Sequence, residues 1–570
     1  MTQDLKALQE LSAELASRLN HQLIDDLPLD SVRGGGPRVV HSAALSTVDL
    51  DPAPQPALIS TSEEVAGWFQ LTPSSLEALL PQLSGSAPLA HIEPYATCYG
   101  GHQFGNWAGQ LGDGRATGLG VLLGDAITKP YTQSRWGIAD PDRPLWEWQL
   151  KGAGITPYSR RGDGKAVLRS SVREFLCSEA MAALGIPTTR ALSLVTTGEK
   201  VWRDMLYDGH PRREQGAIVC RLSPSFVRFG HFELPSARGD LELTRTWLDH
   251  LIRRHFFPLW DEDPETELQE EHIIRWFIEL SERTAALVCD WMRVGFVHGV
   301  MNTDNLSALG LTIDYGPYGW IEDFDLHWTP NTTDASQRRY RFGHQADMAR
   351  WNLSRLAFSL APLITDVDSL IDLLEDWPNE FRGLFSSMMC DKLGTLSATE
   401  AGLRREEREL ELIRDGLDAW QDSELDMTLF FRGLSSLSSE QSITEWRAQL
   451  QEALYEGDGR LSEAQREVGR KELWRWVDRY RDYLCMIAPQ QDPSRRCEVM
   501  EATNPLYVLR NYLAQEVIDA LEEGDELPLL RLAEVLKDPY TKQAGAEHFA
   551  QKRPQWALNR PGCSMLSCSS

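Results

Sequence analysis

The nine cysteines, at 98, 177, 220, 289, 390, 485, 497, 563 and 568, form no CxxC pair, and no His/Cys cluster has zinc-site spacing. That pattern fits a reducing compartment and mostly structural thiols. No stretch reaches the roughly 18 apolar residues that suggest a membrane span. Positive charge is also short: 57 Lys and Arg stand against 84 Asp and Glu, a formal net charge of −27. Such a surface repels nucleic-acid backbones and anionic membranes, so neither is expected as a partner. Any anionic ligand must then meet a local cationic pocket. The first thirty residues carry Asp4, Glu10, Glu14, Asp25, Asp26 and Asp30 against only Lys6 and Arg18. That is the wrong sign for a secretory signal or transit peptide, and a cytoplasmic setting is expected. No internal repeat is visible, and a monomer is the default.

What is present is ordinary for a globular chain, with 42% hydrophobic and 25% charged residues and a mean hydropathy of −0.35. At 570 residues the chain is too long for one core, and two to four domains or lobes are expected. Leu5, Leu8, Leu11, Leu15 and Leu19 recur at helical spacing, while residues 33–56 read as loop. Residues 91–222 are glycine-dense and β-rich. Strands are expected at Val121–Leu123, Trp146–Leu150 and Ile218–Leu222, with a helix over Ser170–Leu184. Further helices are expected over 268–294, 397–422, 438–485 and 504–536. The layout is therefore an N-terminal extension (1–90), a β-rich region (91–222), a helical region (223–400) and a helical extension (401–570).

Four segments carry chemistry. In Gly109-Gln-Leu-Gly112-Asp-Gly114-Arg115 the glycines can let the backbone approach phosphates while Arg115 adds a forked cation, or they can simply make a tight hairpin. In the second segment Lys151 ends an apolar strand, Asp163-Gly164 follows, and Glu174 lies on the next helix. Lys151 and Glu174 either pair as a phosphate clamp or are ordinary strand-end and helix-surface charges. In the third, Arg221 and Arg228 lie among apolar neighbours and need an anion, either a carboxylate of the fold or a ligand phosphate. The fourth, His298-Gly-Val300-Met-Asn302-Thr-Asp304-Asn305 followed by Asp314-Tyr-Gly316, fits the kinase H-R-D-x-x-x-x-N and D-F-G templates. At position 300, however, valine stands where the catalytic aspartate belongs. Asn305 and Asp314 offer oxygen ligands for Mg²⁺ or Mn²⁺. Asp304 could take a proton from an attacking hydroxyl. His298 reads as a packed histidine.

These segments, together with Tyr95–Gly105, Thr156–Arg160, Asn504–Gln515 and the terminal Cys-Ser-Ser, resemble the selenoprotein O family, protein adenylyltransferases of the pseudokinase type. The resemblance implies an α+β, protein-kinase-like bilobal fold with N- and C-terminal helical extensions. It implies ATP bound inverted and AMP transferred to Ser, Thr or Tyr hydroxyls of proteins, including self-modification, with pyrophosphate released. Carried over, the nucleotide contacts are Gly112, Gly114, Arg115, Lys151, Asp163, Gly164, Arg221, Arg228 and Asp314. Asp304 is the proton acceptor, and Asn305 and Asp314 hold the metal. UMP transfer from UTP, ordinary phosphotransfer and a non-catalytic nucleotide-binding scaffold are the competing readings. The setting implied is bacterial cytoplasm, or a mitochondrion had a presequence been removed. Eukaryotic relatives carry selenocysteine where this chain has Cys568, and some bacterial ones pair a terminal cysteine with one in the activation segment. Here Trp320–Pro330 holds no cysteine. A Cys563–Cys568 disulfide, another partner or a plain tail all stay open.

Overall fold

The computed structural model describes residues 11, 13–89, 92–127, 134–256, 267–395, 407–438, 440–456, 460–487 and 493–567. The fold is α+β, a large antiparallel sheet followed by many helices. The strands in order are β1 (Leu19–Asn20), β2 (Leu45–Thr47), β3 (Ala57–Thr61), β4 (Tyr95–Thr97), β5 (Gly100–Gln103), β6 (Asn106–Gln110), β7 (Ala116–Leu123), β8 (Leu145–Lys151), β9 (Ala166–Val167), β10 (Arg190–Arg203) and β11 (Arg212–Ser223). The main sheet runs β2-β4-β7-β8-β11-β10-β3, with β1 on β7 and β9 on β11, while β5 and β6 form a separate hairpin.

Side chains alternate across a strand, and in β8 and β11 that alternation separates core from site. Trp146, Trp148 and Leu150 join Ile218, Cys220 and Leu222 in one apolar cluster. Trp68 stacks on Trp146 with ring centroids 4.4 Å apart, and Phe69 meets Trp148 edge-on at 5.0 Å. The opposite face carries Glu147, Gln149 and Lys151, all buried, and the register sets Arg221 beside Gln149. A polar stripe inside a sheet must be satisfied by what covers it. The helix Leu168–Ala183 is buried along most of its length and brings Arg173 and Glu174 to this face.

The helix Glu270–Val294 buries Ile273, Trp276, Phe277 and Leu280 and stops at Gly295, which takes the left-handed conformation at φ 78°. The chain then enters the short pairing of β12 (Phe296–Val297) with β13 (Gly319–Trp320), which brackets residues 298–318. Behind it, the helices Glu407–Gln421, Met427–Ser435 and Glu463–Ile487 share a core around Trp420, Phe430, Trp476 and Tyr480. Among the described residues no helix is long and apolar enough to cross a membrane.

Several expectations change. The segment to residue 90, expected as an extension, supplies β1, β2 and β3, so sheet structure begins at residue 19, and β2 lies inside the stretch 33–56 read as loop. These strands are short, and their pairing with β7, β4 and β10 is non-local, which leaves little periodic signal. β10, the longest strand, matches none of the three strands expected, and the helix 168–183 starts earlier than predicted. Of the leucine repeat at 5–19, Leu15 is buried and residues 13–17 are helical, while residues 1–10 lie outside the described residues. The boundary at 400/401 also lies outside them, and the helix expected over 397–422 is described as Glu407–Gln421.

Candidate active site

A cleft of about 1110 Å³ opens between the polar face of the sheet and the turns after β12. The glycine-rich turn (Gly112, Gly114, Arg115) and Asp163-Gly164 line one side. Lys151, Arg221 and Arg228 line the sheet side, and Asp304, Asn305 and Asp314 face them. All eleven residues expected to touch nucleotide or metal, or to take the proton, therefore share one cavity.

Lys151 Nζ pairs with Glu174 Oε2 at 2.6 Å, with both side chains buried. Burial pushes the Lys151 ammonium down to about 8, against the pull of Glu174. The other Glu174 oxygen takes Arg221 Nη1 at 3.1 Å. Arg221 also gives Nε and Nη2 to Gln149 Oε1, at 2.8 and 2.6 Å. Its Nη1 reaches Asp314 Oδ1 at 2.7 Å. Arg228 Nη1 bonds the second Asp314 oxygen, and donates to the Asp304 carbonyl at 2.9 Å. Burial opposes ionisation of Asp314, but Arg228 and Arg221 together hold its carboxyl well below the usual carboxylate range. Asp314 sits at φ 54°, a conformation uncommon for a non-glycine residue and held here by the two guanidinium groups.

Asp304 differs. It is buried on the short turn Thr303–Asn305. Its Oδ2 accepts from Gln103 Nε2 at 3.2 Å, while Oδ1 is buried with no hydrogen-bond partner. Burial raises its carboxyl to about 7, with the Gln103 bond and the Arg228 charge opposing. Asn305 Nδ2 donates to the Val300 carbonyl at 3.0 Å, which leaves its amide oxygen as the free acceptor. His298 is packed as expected: Nε2 bonds the Ile313 carbonyl at 3.0 Å, Val300 N–H reaches Nδ1 at 3.4 Å, and burial lowers its pKa.

The glycines have a packing reason besides ligand approach. Gly112 has φ 85°, and a Cβ there would fall 2.4 Å from the Tyr158 ring. Gly164 has φ 69°, and a Cβ would fall 1.9 Å from the Gly154 carbonyl. Only glycine fits either place without the backbone moving. Asp163 sits at the rim, its carboxylate held by Arg203 through two 2.8 Å bonds.

Gln149, Asp113 and the β5–β6 hairpin had no role in the sequence reading. Asp113 is buried 3.8 Å from Arg228 Nη2 and accepts from Thr97 N and Oγ1 at 3.0 and 2.6 Å. A glutamine inside the apolar run Trp146–Leu150 was the available signal for the first. The others are brought in by tertiary packing. Cys563 is buried with a free thiol, pushed by burial up to about 12. Leu566 N–H bonds the Pro330 carbonyl at 3.0 Å, and Thr332 N–H returns to the Leu566 carbonyl at 2.7 Å. Cys568 lies outside the described residues.

The family described as "Protein adenylyltransferase SelO" matches residues 40–537. This chain belongs to the SelO family. Curated relatives are similar over nearly the whole chain. A protein of Tolumonas auensis named "Protein nucleotidyltransferase YdiU" is 49% identical over 556 residues, covering 97% of this chain and 99% of that protein. Proteins of the same name from Rhodopirellula baltica and Xanthomonas axonopodis pv. citri are each 50% identical, covering 96% and 97% of this chain and 98% and 99% of their own lengths.

Proposed function

We propose that this protein is a monomeric cytoplasmic enzyme that moves the AMP part of ATP onto hydroxyl side chains of proteins, itself included. In this reading the sheet and the helices after it form a kinase-like bilobal fold with the nucleotide inverted between them. One observation carries the proposal. The cleft has valine at position 300, where a kinase keeps its aspartate, and among the carboxylates lining it Asp304 has an oxygen with no hydrogen-bond partner. A phosphate-transfer base is missing where a kinase needs it, and another is present beside the phosphate-binding arginines.

The acceptor oxygen attacks the α-phosphorus, the bond from that phosphorus to the oxygen bridging the β-phosphate breaks, and pyrophosphate leaves. Asp304 takes the hydroxyl proton through Oδ1, which its pKa near 7 permits at neutral pH. Lys151, Arg221 and Arg228 meet the charge near −4 that ATP brings, in a protein whose own charge would repel it. Positioning and electrostatics then supply most of the acceleration.

A divalent cation fits the donor set, which is all oxygen: the Asp314 carboxylate and the Asn305 amide oxygen, with the Asp304 oxygen beside them. Among the described residues no group of three or more His, Cys, Asp or Glu side chains could hold a metal alone. Phosphate oxygens would complete the shell, as is usual for Mg²⁺. Such an ion, when bound, neutralises phosphate charge. Asp314 would have to give it an oxygen now held by an arginine.

Purified protein with Mg²⁺ or Mn²⁺ and ATP labelled on the α-phosphate should label protein, and Asp314→Ala should not. UTP labelled at the same position is a parallel arm, since the relatives' name specifies no base. Label arriving from the γ-phosphate alone would make the protein a kinase. Nucleotide binding with no covalent product from either nucleotide would make it a scaffold.

A further inference from the structure

Beside Asp304 the molecule presents a face that the nucleotide does not need. The β5–β6 hairpin sits directly on the Thr303–Asn305 turn. His102 N–H donates to Thr303 Oγ1 at 2.7 Å, and Phe104 N–H donates to Asn302 Oδ1 at 3.1 Å and to Tyr340 Oη at 3.0 Å. A Cβ on Gly101 would lie 2.8 Å from Asp304 Oδ1. From the hairpin a ladder of rings and guanidinium groups runs outward. His102 lies 5.1 Å from Trp107 and 5.5 Å from Trp351. Arg339 sits over Trp351 at 4.6 Å, Arg355 over the same ring at 5.4 Å, and Arg355 over Phe358 at 6.0 Å. Phe358 is 76% exposed and Trp107 41%.

Charge makes the ladder unusual. In a chain of net charge −27, Arg338, Arg339, Arg341 and Arg355 gather here. Of the nearby carboxylates, Asp334 accepts the backbone N–H groups of Arg339 and Tyr340 at 2.9 and 2.7 Å, one Glu233 oxygen pairs with His102 at 2.8 Å, and Asp347 lies 3.4 Å from His344. Arg339 Nε and Nη2 are buried, whereas Arg338 is exposed and the half-exposed Arg355 gives only Nε to Ser354 Oγ, at 3.5 Å. The Arg355 guanidinium, lying over the Trp351 indole with its two terminal nitrogens unengaged among the described residues, is built to receive a carboxylate or carbonyl.

We propose that this ridge is the docking face for the acceptor protein and takes a segment whose acidic side chains flank the hydroxyl to be modified. The idea rests on the transfer reading above, because only then must a protein hydroxyl reach Asp304. The ridge begins at the residues touching Asp304, so a bound segment would continue straight into the cleft. Aromatic rings with arginines also suit single-stranded RNA. The overall negative charge and the adjacency to the proton acceptor favour an acidic protein segment.

Two measurements separate this idea from the reading beneath it. Fluorescence anisotropy, with ATP present, follows synthetic peptides carrying one central Ser, Thr or Tyr flanked by Glu or by Lys. The Glu peptide should bind about tenfold or more tightly than the Lys peptide, a factor worth about 1.4 kcal/mol. Arg339→Gln and Arg355→Gln should each erase most of that preference while ATP affinity stays unchanged. Phe358→Ser, on an exposed ring, tests the apolar end without threatening the fold. Equal binding of the two peptides, no effect of the variants, or displacement of the Glu peptide by a polyuridine strand at lower concentration than by unlabelled peptide would each overturn the docking face. The same peptides incubated with α-labelled ATP report on transfer. Selective binding without label would sink the transfer reading and leave the face standing as a binding site.

Discussion

Arg510 and Asp426 form one buried arginine–carboxylate system, and Arg221, Arg228 and Asp314 form another. In the first, two bonds of 2.8 and 2.9 Å join the pair, Tyr455 Oη donates at 2.7 Å, and Leu429 N–H takes the remaining lone pair at 3.0 Å as a helix cap. Both side chains are at most 2% exposed. In the second, the arginines are equally buried but the Asp314 side chain keeps 20% of its surface. Beside it Asp304 Oδ1 and Arg228 Nε have no partner. Chemistry that is nearly the same thus serves two ends. A closed and fully satisfied set holds helices together, whereas an open one with spare donors and acceptors waits for a ligand.

The sharpest way to break the comparison is Asp314→Ala. Transfer should fall by about 10²- to 10³-fold, the scale seen when a group that stabilises transition-state charge is removed. Labelling rates at saturating ATP check this. Asp426→Ala should instead cost about 3 kcal/mol or more of stability by leaving Arg510 buried and unpaired. Chemical denaturation measures it, and a loss below about 1 kcal/mol would erase the distinction. Saturating ATP with Mg²⁺ should then raise the melting temperature of the wild-type protein, by the equivalent of about 2.7 kcal/mol at a hundred times Kd. The same ligand should do little for Arg228→Ala.

A further effect concerns pH. Glu322, beside the Arg510–Asp426 pair, is raised by burial to about 7 despite Arg553 at 3.3 Å. Its folded form therefore holds a proton that the unfolded chain releases above about 4.5. Stability from this group is intact below the unfolded value and is lost as pH rises toward 7, by at most about 1.4 kcal/mol per unit. Glu322→Gln should flatten that slope in melting curves taken from pH 5 to 8. An unchanged slope would place the titration elsewhere.

Much of the cleft was legible because its residues interrupt strong patterns. Lys151 ends an apolar strand, Arg221 and Arg228 stand among apolar neighbours, and valine replaces aspartate inside an otherwise recognisable loop. Each is a local anomaly readable without the fold. The sheet membership of β2 and β3 was not legible, nor was the hairpin over Asp304. Their partners lie far along the chain, and short strands carry almost no periodicity. Arg339 was invisible for a similar reason. Nothing in Arg338-Arg-Tyr-Arg341 says which guanidinium will lack partners once Trp351 is underneath it.

The chain of contacts from Glu174 through Arg221 and Asp314 to Arg228 has a consequence for selectivity. With their charges already matched, the arginines present little bare positive potential to whatever drifts into the cleft. Inorganic phosphate or a stray carboxylate would have to compete with Asp314 for the guanidinium groups. On the proposed reading, a nucleotide arriving with a divalent cation would offer both sides a replacement at once, phosphate for the arginines and metal for the aspartate. The resting contacts thus behave as a lock that two keys must turn together, and simple anions carry only one of them.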